Sequence, residues 1–158
     1  MRRAAREEIT MPWVRRILHP TDFSPASRPA FRQALALAKA HRAQLLVAHV
    51  LPLIPMVVDA YMSAEAWEQL ERGQRMTGQR QLNRLVARAK AAGVRAGGLL
   101  LDIGVTHDQI VRFAKARRVD LIVMGTHGRS GVAKAILGSV ASRVLASARC
   151  PVMTVRAK

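Results

Sequence analysis

The run Gln44–Val50 (QLLVAHV) is apolar throughout apart from its first residue and His49. A strand with one wet face alternates apolar and polar residues; this one does not, so both of its faces must be covered. That is the pattern of a parallel sheet sandwiched between helices. Four further short runs read as strands, about Val14–His19, Arg95–Leu101, Asp120–Met124 and Val152–Val155. Helical patterns separate them. The first runs from Ser24-Pro25 to about His41, with Ala30, Phe31, Ala34, Leu35 and Ala38 on one face. The second runs from about Ser63 to Ala92, the third covers about His107–Ala116, and the fourth Ser139–Ala148. Strict alternation of strand and helix predicts an α/β fold: a single doubly wound domain with a five-stranded parallel sheet and helices on both faces. Strand order 3-2-1-4-5 with right-handed crossovers is expected.

Local signals refine the boundaries. Ser24 followed by Pro25 suits an N-cap and first helical position. Thr106 reads as the cap of the third helix, with Asp108 in its first turn. Gly93 after Ala92 suits a helix C-terminus. Gly73 and Gly78 each cost about 1 kcal/mol inside a helix, so fraying or a break is expected there. Arg80, Arg84 and Arg88 stack at i, i+4 on one exposed face, opposite Leu82, Leu85, Val86 and Ala89.

The chain of 158 residues suits one domain with a real core. No apolar run approaches the ~18 residues needed to span a bilayer. The start, MRRAAREEITMPW, has no apolar segment of secretory type. With one cysteine, Cys150, a reducing and hence cytoplasmic setting is expected. Cys150 itself reads as a small buried hydrophobe. Residues 1–12 read as a flexible basic extension and 13–158 as the domain. The Leu51–Met62 stretch, with two prolines, reads as a mobile or interface loop. The net charge of +16 is uneven: from Arg72 to Leu101 there are seven bases and no acid. Such a field attracts polyanions, or simply solvates a surface. Only 4% of residues are aromatic, too few for a base-stacking platform.

Candidate chemistry centres on Met124–Val140 (MGTHGRSGVAKAILGSV). The loop from Gly125 to Leu137 is 13 residues long, against a usual length of about 2–6 for such a connection. Glycine permits positive φ and close approach of backbone N–H groups to an anion. Gly138-Ser139 opens a helix whose first N–H groups lack internal partners. Ser139 suits either an N-cap or a hydroxyl donor to phosphate. His127, Arg129 and Lys134 add cations. Ordinary turn glycines in a solvated basic loop are the plain alternative. Neither GxxxxGK[ST] nor GxGxxG occurs. Asp22, closing the first strand, suits hydrogen bonds from a ribose or base, a metal beside phosphates, or local turn capping. His49 reads as a hydrogen-bonded structural residue. With order 3-2-1-4-5, the topological switch lies between strands 1 and 4, so Asp22 and Gly125 meet in one crevice.

The spacing G-x2-G-x9-G-[S/T], filled here by Gly125, Gly128, Gly138 and Ser139, resembles the nucleotide-binding signature of the universal stress protein family. The similarity extends through THGRSG, GSVASRVL and CPVMTVR, and to ILHPTDFS and LLVAHVLP nearer the start. The resemblance implies ATP binding, possible with Mg²⁺. It places Pro20, Thr21 and Asp22 along an adenosine pocket, Val50 against the adenine and Met124 closing that pocket. Gly125 and Gly128 would pass near ribose and phosphates, flanked by His127 and Arg129. Gly138, Ser139 and Val140 would hold phosphates through N–H groups and the serine hydroxyl. It also implies a homodimer paired through Val152–Val155. The function so implied is a nucleotide-dependent stress-response module. Alternatives are a slow ATPase or autophosphorylating protein, with Ser130 or Ser139 as acceptor, and a nucleic-acid binder using the basic face.

Overall fold

The computed structural model describes residues 14–53, 63–127 and 137–157. Expectations for residues 1–12, for most of the proline-containing loop and for Gly128, Arg129, Ser130 and Lys134 lie outside them. The elements are β1 (Arg16–Pro20), a 3₁₀ turn (Pro25–Ser27), α1 (Arg28–Ala40), β2 (Gln44–Val50), α2 (Ala64–Ala91), β3 (Ala96–Leu101), α3 (Thr106–Ala116), β4 (Leu121–Gly125), α4 (Ser139–Ser147) and β5 (Val152–Val155). All ladders are parallel and the sheet order is β3-β2-β1-β4-β5, as the alternation predicts.

Consecutive strand residues feed opposite faces. Ile17, Val47 and Val123 join the core under α1 and α2. Leu18, Ala48 and Ile122 join the core under α3 and α4. This two-sided burial is why the strands read as unbroken apolar runs. In α1, Ala30, Ala34 and Ala38 are fully buried at i, i+4 spacing, so the helix lies close to the sheet. Cys150 is half-buried against the α3–α4 core, and burial pushes its thiol pKa up.

Three local expectations are corrected. First, α2 runs unbroken through Gly73 and Gly78. Packing outweighs propensity at Gly78, where an added Cβ would lie 2.9 Å from Leu100 Cδ1 and 3.3 Å from His49 Cδ2. Gly98 on β3 plays the reciprocal part: its Cβ would lie 3.1 Å from Val86. Glu68–Arg72 and Glu71–Arg75 pairs at i, i+4 flank Gly73 and support the exposed first half. Second, Ser24 stands at the cap position of the 3₁₀ turn, but its hydroxyl makes no cap bond. Third, Val105 caps α3 and Thr106 is its first residue. Gly93 does terminate α2, at φ +82°, with its N–H bonded to the Lys90 carbonyl.

The ladder between β1 and β4 is short, pairing Ile17 with Leu121 and Leu18 with Ile122. Immediately beyond it, the fully buried His19 donates Nδ1–H to the Val123 carbonyl at 2.9 Å. A carbonyl only accepts, so Nδ1 carries the proton. Nε2 then faces no partner among the described residues. Burial lowers the His19 pKa from 6.5 to about 4, outweighing the opposing pull of the Val123 carbonyl and Asp22.

Two predictions follow from these contacts. A Cβ at Gly73 would meet nothing within 4 Å, so Gly73→Ala should stabilise the protein. The gain expected is about 0.5–1 kcal/mol in urea unfolding, with a smaller gain or none for Gly78→Ala. For His19, the imidazole is neutral in folded and unfolded chains above pH 6.5. As pH falls, the unfolded chain takes up a proton that the folded protein refuses until about pH 4, so stability drops across that window. Urea titrations at about pH 7.5 and pH 5 should show a loss of order 2 kcal/mol from this group. His19→Gln, which keeps a donor for Val123, should remove that part of the loss.

Candidate functional site

Where β1 and β4 diverge, their C-terminal ends frame a crevice of about 400 Å³. This is within the usual range for a small-molecule site. Pro20, Thr21, Asp22, Val50, Met124, Gly125, His127, Gly138, Ser139 and Val140 all line it. Of the candidate residues named from the sequence, Gly128, Arg129, Ser130 and Lys134 fall outside the described ones.

One wall is the exit of β1. Thr21 Oγ1 accepts the Phe23 N–H at 3.0 Å, and Asp22 Oδ1 accepts the Ser24 N–H at 3.0 Å. These two bonds hold Phe23 at φ +61°, a left-handed conformation costing about 1 kcal/mol or more for a non-glycine residue. The Phe23 ring lies 4.4 Å from that of His49. Ser27 Oγ donates to the Ser24 carbonyl at 2.8 Å. The Thr21 hydroxyl, 3.1 Å from Ser27 Oγ, must therefore supply the hydrogen of that bond. With its hydrogen committed, Thr21 shapes the wall rather than donating into the crevice. His49 donates Nδ1–H to the Thr21 carbonyl at 2.8 Å, the structural role expected of it. Asp22 thus serves as a local cap and also lines the crevice, so two of its readings coexist.

The opposite wall is the start of α4. Gly138 is its N-cap and Ser139 its first residue, which corrects the reading of Ser139 as the cap. The N–H groups of Ser139 and Val140 belong to the first turn, which has no intrahelical acceptors. Their place at the crevice leaves a ready anion site, favoured by the helix dipole. Neither key glycine is needed for positive φ: Gly138 sits at φ −60°. Both are needed for close approach. A Cβ at Gly138 would lie 2.9 Å from the Thr126 carbonyl oxygen, which already accepts the Gly138 N–H at 2.8 Å. A Cβ at Gly125 would lie 3.1 Å from the His127 carbonyl and 3.3 Å from that of Ala26.

Ala48, Val50, Pro52, Ile110, Met124 and Ala141 supply the apolar part of the lining, and Ser27, His49, Thr106 and Thr126 add polar groups. Among the described residues, its ionisable groups are one carboxylate, Asp22, and two imidazoles, His49 and His127. No cluster of three or more His, Cys, Asp or Glu able to hold a metal ion occurs among the described residues. Thr106, read from the sequence only as a helix cap, and Ile110 also line the crevice, and their i, i+4 spacing marks one face of α3. Thr126, beside Gly125, was missed; its hydroxyl lies 3.0 Å from His127 Nδ1.

Comparison with known proteins finds relatives along nearly the whole chain. A model described as the universal stress protein family matches residues 14–156. A universal stress protein of Methanocaldococcus jannaschii is 35% identical over 90% of this chain and 82% of its own. A solved structure from the same family in Burkholderia pseudomallei is 29% identical, with TM-score 0.74, covering 91% of this chain and 97% of that one. Another universal stress protein, solved in complex with cAMP, is 25% identical with TM-score 0.64, covering 92% and 98%.

The contact at Gly138 makes a direct prediction. Gly138→Ala should push α4 away from Thr126 and cost about 1–3 kcal/mol in urea unfolding. Gly97→Ala, where a Cβ meets nothing within 4 Å, should show no comparable loss.

Proposed function

The chain belongs to the universal stress protein family, and from that premise we propose that the crevice binds an adenine nucleotide, ATP in particular, and that the protein acts as a nucleotide-dependent module of the stress response. The carrying observation is that apolar side chains and the first turn of α4 line one and the same crevice. In this reading the base enters between Val50 and Met124, Asp22 accepts hydrogen bonds from the ribose, and phosphates meet the first turn of α4. Gly125 and Gly138 keep the walls free of side chains where the ligand passes. The cAMP complex of a family member supports the adenine assignment. Mg²⁺ would arrive with the phosphates, with Asp22 as its protein carboxylate, since the described lining offers no other.

The module is read as a binder rather than an efficient enzyme. One carboxylate and no lysine line the described crevice, so turnover far below the roughly 1–100 s⁻¹ of kinases is expected. Residues 13–158 are proposed to form the nucleotide-binding domain, with residues 1–12 as an extension. β5 is a half-buried edge strand, paired to β4 on one side. Pairing with a second copy would cover that edge, so a homodimer through Val152–Val155 is part of the proposal.

Calorimetric titration with Mg-ATP and with cAMP tests the reading. Micromolar binding is expected. Asp22→Asn keeps an acceptor for the Ser24 N–H but removes the charge, and should weaken binding about 10- to 100-fold. Absence of binding by the unaltered protein to either nucleotide would overturn it.

A further inference from the structure

The nucleotide crevice draws no lining residue from α2, yet α2 carries six bases from Arg72 to Lys90 with no acid among them. Its acids, Glu65, Glu68 and Glu71, all lie in the first third. Glu68 is held by Arg72, while Glu71 and Asp102 are both held by Arg75. No acid follows until Asp102, and among the described residues no ion pair engages Arg80, Arg84 or Arg88. All three are exposed. Because α2 is unbroken, they form a continuous ridge rather than points on separate segments. Leu82, Leu85, Val86 and Ala89 face the core, so Arg80 points directly away from it and the next two turn progressively sideways. Arg88 reaches the neighbouring helix, where its guanidinium lies 5.5 Å from the centre of the Phe31 ring. The exposed Arg28 and Arg32 stand on either side of Phe31 along α1. The ridge of α2 therefore runs into a second basic strip on the same face of the sheet.

We propose that this α1–α2 face binds duplex DNA through its phosphate backbone, without reading sequence. Charge complementarity carries the argument. Arg80 to Arg88 rise about 12 Å along the helix, matching about three to four phosphates along one strand. The one ring on the strip, Phe31, is 3% exposed and covered by Arg88, so no platform for stacking unpaired bases is present there. Phosphate contacts without base contacts give affinity and salt dependence but no sequence preference.

Fluorescence anisotropy of the full chain with a short labelled duplex of arbitrary sequence tests this. Binding should weaken tens of fold between about 50 and 200 mM salt. Arg80→Gln/Arg84→Gln, which leaves the Arg88–Phe31 contact intact, should weaken binding and lower the salt slope by about two. Arg112→Gln/Lys115→Gln removes the same charge from α3 on the opposite face of the sheet, and should leave the slope nearly unchanged. Equal losses in both variants would mean that net charge alone attracts the duplex, which would overturn the proposal. So would absence of binding at low salt, or tighter binding to phosphatidylserine vesicles than to the duplex. The nucleotide titration is independent of all these outcomes, because no ridge residue lines the crevice.

Discussion

The bond between the buried His19 imidazole and the Val123 carbonyl sits where the central strands part company. β1 and β4 pair over only two residues, whereas β1 and β2 pair over five. A parting of strands inside a core exposes backbone groups that must find partners. His19 supplies one for Val123, and His49 supplies one for Thr21 just above it. Both do so from buried positions. The crevice can open at the topological switch because these two rings close the backbone account below it.

Above the split, the walls are positioned by short-range contacts that leave little room. The left-handed Phe23 is held by hydrogen bonds from its own N–H and that of Ser24 to the side chains of Thr21 and Asp22. The start of α4 is held against Thr126 by a backbone bond that any side chain at position 138 would crowd. Gly125 and Gly138 are therefore spacers between backbone segments. The anion-accepting character of the site comes from α4 itself, and the apolar part of its lining from residues that also belong to the α3–α4 core, such as Met124, Ile110 and Ala141. Site and core share side chains, which couples the shape of the crevice to the packing of that face.

The other face is organised differently. α2 lies against β3 through Gly78, Gly98, Leu82 and Val86, and its outer surface is charged along its length. Ion pairs neutralise its first half and leave the second half basic. The asymmetry separates a small-molecule crevice at the strand ends from a convex basic surface on one flank. The two do not interfere, because α2 contributes no residue to the crevice at the switch point.

Much of this was legible in the chain itself. Unbroken apolar runs identified the strands, to the residue for Gln44–Val50 and Val152–Val155, because two-sided burial leaves no polar alternation. Alternation with helices pointed to a parallel sheet, and the expected order 3-2-1-4-5 brought Asp22 and Gly125 to one crevice. What sequence alone misjudged were positions where a distant contact outweighs a local preference. Gly78 looks like a break until α2 is seen packed on β3, and Gly73 is carried by the flanking Glu68–Arg72 and Glu71–Arg75 pairs. Thr106 and Ser139 look like caps, yet each sits one residue inside its helix. The Thr21 hydroxyl looks available until Ser27 is seen to take its hydrogen. The role of His19 rests on a carbonyl 104 residues away. Periodicity and turn chemistry are local properties, and they determined the elements and their order. Close approach, hydrogen-bond direction and the opening between β1 and β4 depend on where separate segments meet, and only the tertiary structure decided those.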